Sequence, residues 1–215
     1  DGDSSDCVVK FRNGESRAAL LKNFTITNGI ANNGNWPYSD DGGGIFISNS
    51  SSPTLRNLLV VDNHASDWGG GIAITNSSSP LMDNITINEN SSGQHGGGLA
   101  IWNNSNAQVK NTNISNNMAG NNGGGVIIDN SNPIFESVEI IGNSSGNKGG
   151  GVRAEGNSNP FMNNMVISNN SASQGGGGIW FGDNNGAILT ISSSTISNNS
   201  AQYGGGIGVQ GNIIS

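Results

Sequence analysis

Apolar residues recur along this chain as short alternating pairs, each placed just after a run of glycines. Ile45/Ile47 follow Gly42-Gly43-Gly44, and the arrangement returns at Ile72/Ile74, Leu99/Ile101, Val126/Ile128, Val152/Ala154, Ile179/Phe181 and Ile207/Val209. A period of two predicts a strand with one face buried. The first residues of these pairs are separated by 27, 27, 27, 26, 27 and 28 positions. A repeat that steady, covering nearly everything, predicts a single repeat domain over residues 1–215, either part of a longer chain or a stackable rod.

Two further strands are predicted in each repeat. A turn rich in Asn and Ser, with Pro53, Pro80, Pro133 and Pro160 at equivalent places, ends the first strand because proline fixes φ. Single apolar residues then mark a short middle strand: Leu55, Met82, Val109, Phe135, Met162 and Leu189. The last strand turns Leu58/Val60, Ile85/Ile87, Thr112/Ile114, Val138/Ile140, Met165/Ile167 and Ser194/Ile196 inward, and it closes on Asn63, Asn90, Asn117, Asn143, Asn170 and Asn199. A second column, Asn57, Asn84, Asn111, Ser137, Asn164 and Ser193, precedes it. Asn tolerates left-handed turns, and stacked amides bond to one another.

Three short strands per 27 residues with no helical stretch predict an all-β fold: a right-handed parallel β-helix (β-solenoid) of seven to eight coils. At about 4.8 Å per coil the rod is about 35 Å long. Charge gives an independent check on register, since Arg56, Asp83, Lys110 and Glu136 fall in one column and alternate in sign.

Composition narrows the function. Charged residues are 11% of the chain, with 35 Gly and 37 Asn, so polarity comes from uncharged side chains. A net charge of -7 argues against nucleic acid or an anionic membrane as partner. No apolar run approaches the length of a bilayer span, so no membrane insertion is expected. Cys7 is alone, which excludes an intrachain disulfide, and His64 and His95 are too few and too far apart for a zinc site. Asn-x-Ser/Thr sequons are frequent, as this composition alone would produce.

Departures from the repeat locate candidate chemistry. Between Asn23 and Gly42 the chain takes seven more residues than in the next coil, and the added segment carries Trp36, Tyr38 and Asp40. Loops on a rigid scaffold commonly carry function. Counting back from the glycines stacks Asp40 on Asp67 and sets Asp41, Trp68 and His95 in the adjacent column. Trp36, Tyr38, Asp40, Asp67 and Trp68 are therefore the candidate ligand-binding residues, and Asp40, Asp41 and Asp67 the candidate Ca2+ ligands. Asp62/Glu89 and Asp129/Glu155 stack in the same way, and Asp1 to Asp6 is a partial Ca2+-loop pattern. Lys148 and Arg153, the bases a lyase would use, lie about four coils from Asp40 and Asp67. The outward column Phe46, Ala73, Ala100, Ile127, Arg153, Trp180 and Gly208 is apolar enough to predict a contact surface or a covering segment. A Thr-x-Thr ladder of the ice-binding kind starts at Thr25/Thr27 and is broken in the next coils.

The units Ile167-Ser168-Asn169-Asn170-Ser171-Ala172 and Ile196-Ser197-Asn198-Asn199-Ser200-Ala201, each followed by a glycine run and Ile, carry a resemblance. The chain resembles bacterial secreted right-handed parallel β-helix repeat proteins, with repeats similar to the Phe-x-x-Asn and Gly-Gly-aliphatic units of polymorphic outer-membrane adhesins. The resemblance implies an extracellular or cell-surface location and a structural or adhesive role, and it carries over no catalytic residue. The expected function is a non-enzymatic rod; the alternative is a carbohydrate-active module that binds or cleaves glycans. Uncapped coil ends further predict self-association end to end, since bare sheet edges recruit partners. No cofactor other than Ca2+ is expected.

Overall fold

A computed structural model describes residues 6–32, 41–182 and 187–210. Every pairing between its named strands is parallel, and every strand pairs with its counterpart one coil on. Among the described residues the strands stack along the rod in three sheets, of eight, twelve and six strands. The eight-stranded sheet holds the glycine-flanked strands from Val9–Phe11 through Ile45–Ile47, Ile72–Ile74 and Leu99–Trp102 to Ile207–Gln210. The twelve-stranded sheet is bent along its middle, so that Thr54–Val61 and Leu81–Asn88 pass through the bend while later coils break there into two short strands. The six-stranded sheet is built from two-residue strands such as His64–Ala65 and Ser91–Ser92.

The predicted register holds along the glycine-flanked strands, whereas in the middle-strand column Ile191, not Leu189, pairs with Met162, because that coil is two residues longer than the repeat. Ile45 pairs with Ile72, Ile72 with Leu99, Leu99 with Val126, Val126 with Val152, Val152 with Ile179 and Ile179 with Ile207. The core is a set of apolar columns, among them Ile45, Ile72 and Leu99, then Leu55, Met82, Val109, Phe135 and Met162, all fully buried. Full burial of each such side chain stabilises by about 1.5–3 kcal/mol. Thr112 enters the core without a polar penalty because its hydroxyl donates to the carbonyl of Lys110 at 2.7 Å. Arg56 pairs with Asp83 at 3.3 Å and Lys110 with Glu136 at 2.7 Å, as the sign alternation predicts.

Two further expectations change. Among the described residues six coils, not seven to eight, carry strands on all three faces. The seventh closes its short face with a single bridge, Ser171 to Ser200, and of an eighth the described residues include one strand, Ile207–Gln210. The left-handed turn also falls elsewhere than on the closing asparagines. It falls on the residue before each of them, at Asp62, Glu89, Asn116, Gly142, Asn169 and Asn198, and on the second column at Asn57, Asn84, Asn111, Ser137, Asn164 and Ser193. The closing asparagine cannot make the turn because its side chain points inward and is spent on the coils above and below.

The glycine triplet is the corner where each coil begins its first strand, and Gly69-Gly70-Gly71 shows why three are needed. Gly69 has φ +69°, which glycine adopts without cost. A Cβ on Gly70 would overlap the carbonyl oxygen of Ser91, at the point where the coil closes on itself. One on Gly71 would lie 2.7 Å from the oxygen of Gly98 and 3.1 Å from the Asn90 side chain.

Candidate functional site

Polar side chains inside the rod form two columns. In the first, Asn63, Asn90, Asn117, Asn143 and Asn170 are each at most 1% exposed. Each donates its Nδ2 to the Oδ1 of the next at 2.9–3.0 Å, and the same Oδ1 accepts the backbone N–H of the asparagine below. The Nδ2 also reaches back to a carbonyl of the preceding coil, Val60 for Asn90 and Ile87 for Asn117. Sequence reasoning missed the second column, Ser51, Ser78, Ser105, Ser131 and Ser158, all fully buried. Here the backbone N–H of one serine donates to the hydroxyl of the next, at 3.3 Å from Ser78 to Ser105 and 3.1 Å from Ser105 to Ser131. The signal was present as a serine two positions ahead of Pro53, Pro80, Pro133 and Pro160.

Outside the rod, three columns run along the eight-stranded sheet. Trp68, His95 and Asn122 bridge in one. Phe46, Ala73, Ala100 and Ile127 form the next, and Trp102, Asp129 and Glu155 the third. The middle column was expected to be a contact surface or to be covered, and it is covered: Ala73, Ala100 and Ile127 have no exposure and Phe46 only 5%. Its cover comes from side chains of the flanking columns. The Trp68 ring lies 5.1 Å from that of Trp102 and 4.6 Å from that of His95, and Trp68 and Cys7 pack against the apolar cluster. Small Ala73 and Ala100 leave the space that these rings occupy. Trp102 was not singled out from the sequence because it reads as one more residue of its strand.

Of the candidate ligand residues, Trp36, Tyr38 and Asp40 lie outside the described residues. Trp68 sits in the aromatic group, half-buried. Asp67 precedes it, also half-buried, and its carbonyl accepts the N–H of His95 at 3.1 Å. Asp41 is 7% exposed and accepts the backbone N–H of Trp68 at 3.0 Å, so its carboxylate helps fix that corner. Of the Ca2+ set Asp40, Asp41 and Asp67, the last two are described, and among the described residues no three acidic, His or Cys side chains converge as a metal site.

Further along the same face, Asp129 stacks on Glu155, and Arg153 is bound to Glu155. Burial, and then the charge of Glu155, raise the Asp129 carboxyl above its ordinary range. Burial, aided by Arg153, pushes His95 down to about 4, so its ring is neutral at physiological pH. The amine of Lys148 lies 4.4 Å from the centre of the Trp180 ring and bonds Gln210 at 3.1 Å. Burial pushes the Cys7 thiol up to about 12, which leaves it unreactive.

On the opposite side, the bend of the twelve-stranded sheet forms an open concavity of about 360 Å3 lined by Asn23, Phe24, Thr25, Asn57, Leu58, Leu59, Asn84 and Thr86. Its floor is an exposed amide ladder, with Asn84 donating to Asn57 at 2.9 Å and Asn57 to Asn23 at 3.1 Å.

A family model described as a right-handed beta helix region matches residues 3–120 and 60–213. No curated protein and no solved structure matches the chain. With three parallel sheets, a 27-residue register and that match over nearly its full length, this chain belongs to the right-handed β-helix family.

Proposed function

We propose that the chain is a non-enzymatic structural or adhesive rod working outside the cell or at its surface. The observation that carries this reading is the commitment of polar side chains to bonds between coils. The Asn ladder, the Ser column, the exposed amides and the charge column each tie one coil to the next. Acids that chemistry could have used are also engaged: Asp83 by Arg56, Glu136 by Lys110 and Asp41 by the backbone of Trp68 across coils, and Glu155 by Arg153 within its own strand. A rod so tied keeps a fixed lateral surface under load, which suits adhesion or support. Self-association through coil ends belongs to the same proposal, since the edge of a parallel sheet pairs readily with a further strand.

Sedimentation over a wide concentration range tests assembly; end-to-end species growing with concentration are expected, and a strict monomer speaks against it. Incubation with neutral and acidic polysaccharides tests the rest. Products with new reducing or unsaturated ends would overturn the non-enzymatic reading.

The second reading, a glycan-binding module, is favoured by the half-buried Trp68 ring beside His95, because aromatic faces stack on the apolar faces of sugar rings. On this reading Trp68→Ala abolishes binding on a glycan array while the circular dichroism of the rod is retained.

A further inference from the structure

Three Asn-Gly pairs fall among the described residues, Asn13-Gly14, Asn28-Gly29 and Asn122-Gly123, and the fold treats them differently. The N–H of Gly29 donates to the buried Oδ1 of Asn63 at 2.9 Å, inside the amide ladder. The N–H of Gly123 donates to the carbonyl of Lys148 at 3.0 Å, and Asn122 itself is only 4% exposed, with its Oδ1 accepting the N–H of Lys148. Both amides are locked between coils. Asn13 and Gly14 are exposed, with open space around the glycine. Gly14 heads the serine column, so its N–H meets the hydroxyl of Ser51 at 3.2 Å. In turn the Ser51 hydroxyl donates to the Glu15 carboxylate at 2.7 Å, and the same carboxylate accepts the N–H of Asn13 at 3.0 Å and its side-chain amide at 3.4 Å.

We infer that Asn13-Gly14 is a self-modification site, at which the Gly14 nitrogen attacks the Asn13 side chain with Ser51 and Glu15 relaying the proton. The Gly14 nitrogen bonds to Asn13 Cγ and gives up its proton through the Ser51 hydroxyl toward Glu15. The Cγ–Nδ2 bond breaks, and Nδ2 leaves as ammonia with the proton that the Glu15 carboxylate, bonded to it, returns. The five-membered imide then adds water to give aspartate or isoaspartate, with no change of oxidation state. Positioning the carboxylate between nucleophile and leaving amide is what a general base requires. Intramolecular attack needs no second molecule, and that is where such a reaction gains its rate. The product places a second carboxylate beside Glu15, and isoaspartate also lengthens the backbone at the corner. The conversion is one-way and marks the age of the molecule.

The full chain, held folded at neutral pH and body temperature, is sampled over weeks by peptide mapping with isoaspartate detection. Conversion at Asn13 should outpace that at Asn28 and Asn122 by at least about tenfold, and Glu15→Gln and Ser51→Ala should each slow it by about tenfold or more, as loss of a base relay predicts. Circular dichroism shows that each variant is folded. In denaturant all three pairs should react alike. Equal rates at the three sites in the folded chain would overturn the inference. So would a Glu15→Gln or Ser51→Ala rate that is unchanged or faster, since the bonds would then be protective or idle.

Discussion

The side-chain amide of Asn117 donates to Oδ1 of Asn143 at 3.0 Å, while its own Oδ1 accepts both the backbone and the side-chain N–H of Asn90 at 2.9 and 3.0 Å. One residue thus satisfies groups in the coil before it and the coil after it, in a column almost without exposure. Asn117→Ala leaves the buried backbone N–H of Asn90 without its acceptor and removes the side-chain bonds to the Asn90 amide, the Ile87 carbonyl and Asn143. Each buried group left unpaired costs about 1–3 kcal/mol, so a loss of about 3 kcal/mol or more is expected in urea unfolding. Asn111→Gly, in the exposed second column, keeps the left-handed turn and should cost under about 1 kcal/mol, because water replaces its bond to Asp83.

Gly178 and Gly206 occupy the same corner in successive coils. A Cβ on Gly178 would lie 2.6 Å from the carbonyl oxygen of Gly206, whereas one on Gly206 meets, among the described residues, nothing nearer than the Ile196 side chain at 3.6 Å. Gly178→Ala is expected to cost more than about 3 kcal/mol, through forced separation of two coils, and Gly206→Ala less than about 1 kcal/mol. Thermal unfolding followed by circular dichroism separates the two, and equal losses would mean that the corner yields.

Glu89 has φ 55° in a column otherwise held by Asn, Asp or Gly. A left-handed backbone is cheaper for Asn or Gly than for Glu, and Asp62 places a like charge one coil away. Glu89→Asn should stabilise by about 0.5–1 kcal/mol, which for a chain of this size raises the melting temperature by about 1–4 °C.

The fold was legible wherever a column repeats one kind of residue for one reason. Ile45 to Ile207 and the alternating charges from Arg56 to Glu136 could be aligned because apolar and charged residues are scarce against a background of Asn, Ser and Gly. The Ser51 to Ser158 column is as regular, but serine is so common here that its inward position could not be told from its outward ones. Side-chain direction likewise hid the cover over Ala73 and Ala100. Trp68 and Trp102 come from different coils, and only their rotation onto the sheet brings the rings within 5.1 Å. Stacking of Asp129 on Glu155 was readable, whereas the placing of Arg153 against Glu155 was not.

His95 makes stability depend on pH in a definite window. Its pKa is pushed from 6.5 to about 4 in the folded chain by burial, so between those values the unfolded chain binds a proton that the folded one refuses. Stability therefore rises with pH across that window and is flat, as far as His95 is concerned, above it. The raised pKa of Asp129 has the opposite sign: above the ordinary carboxylate value of about 4, protonation favours the folded state. Glu15, held down to about 2 by the Ser51 hydroxyl, stabilises the fold above the ordinary carboxylate pKa and loses that contribution as pH falls toward 2. Urea midpoints measured from pH ~7 down to pH ~4 should decline, and His95→Gln should remove most of the decline above the carboxylate range because its side chain does not titrate. In the native chain the His95 ring resonance should titrate with a midpoint near 4. A His95 midpoint at the ordinary value of about 6.5 would show that water reaches the ring and that the Trp68 stack does not seal it.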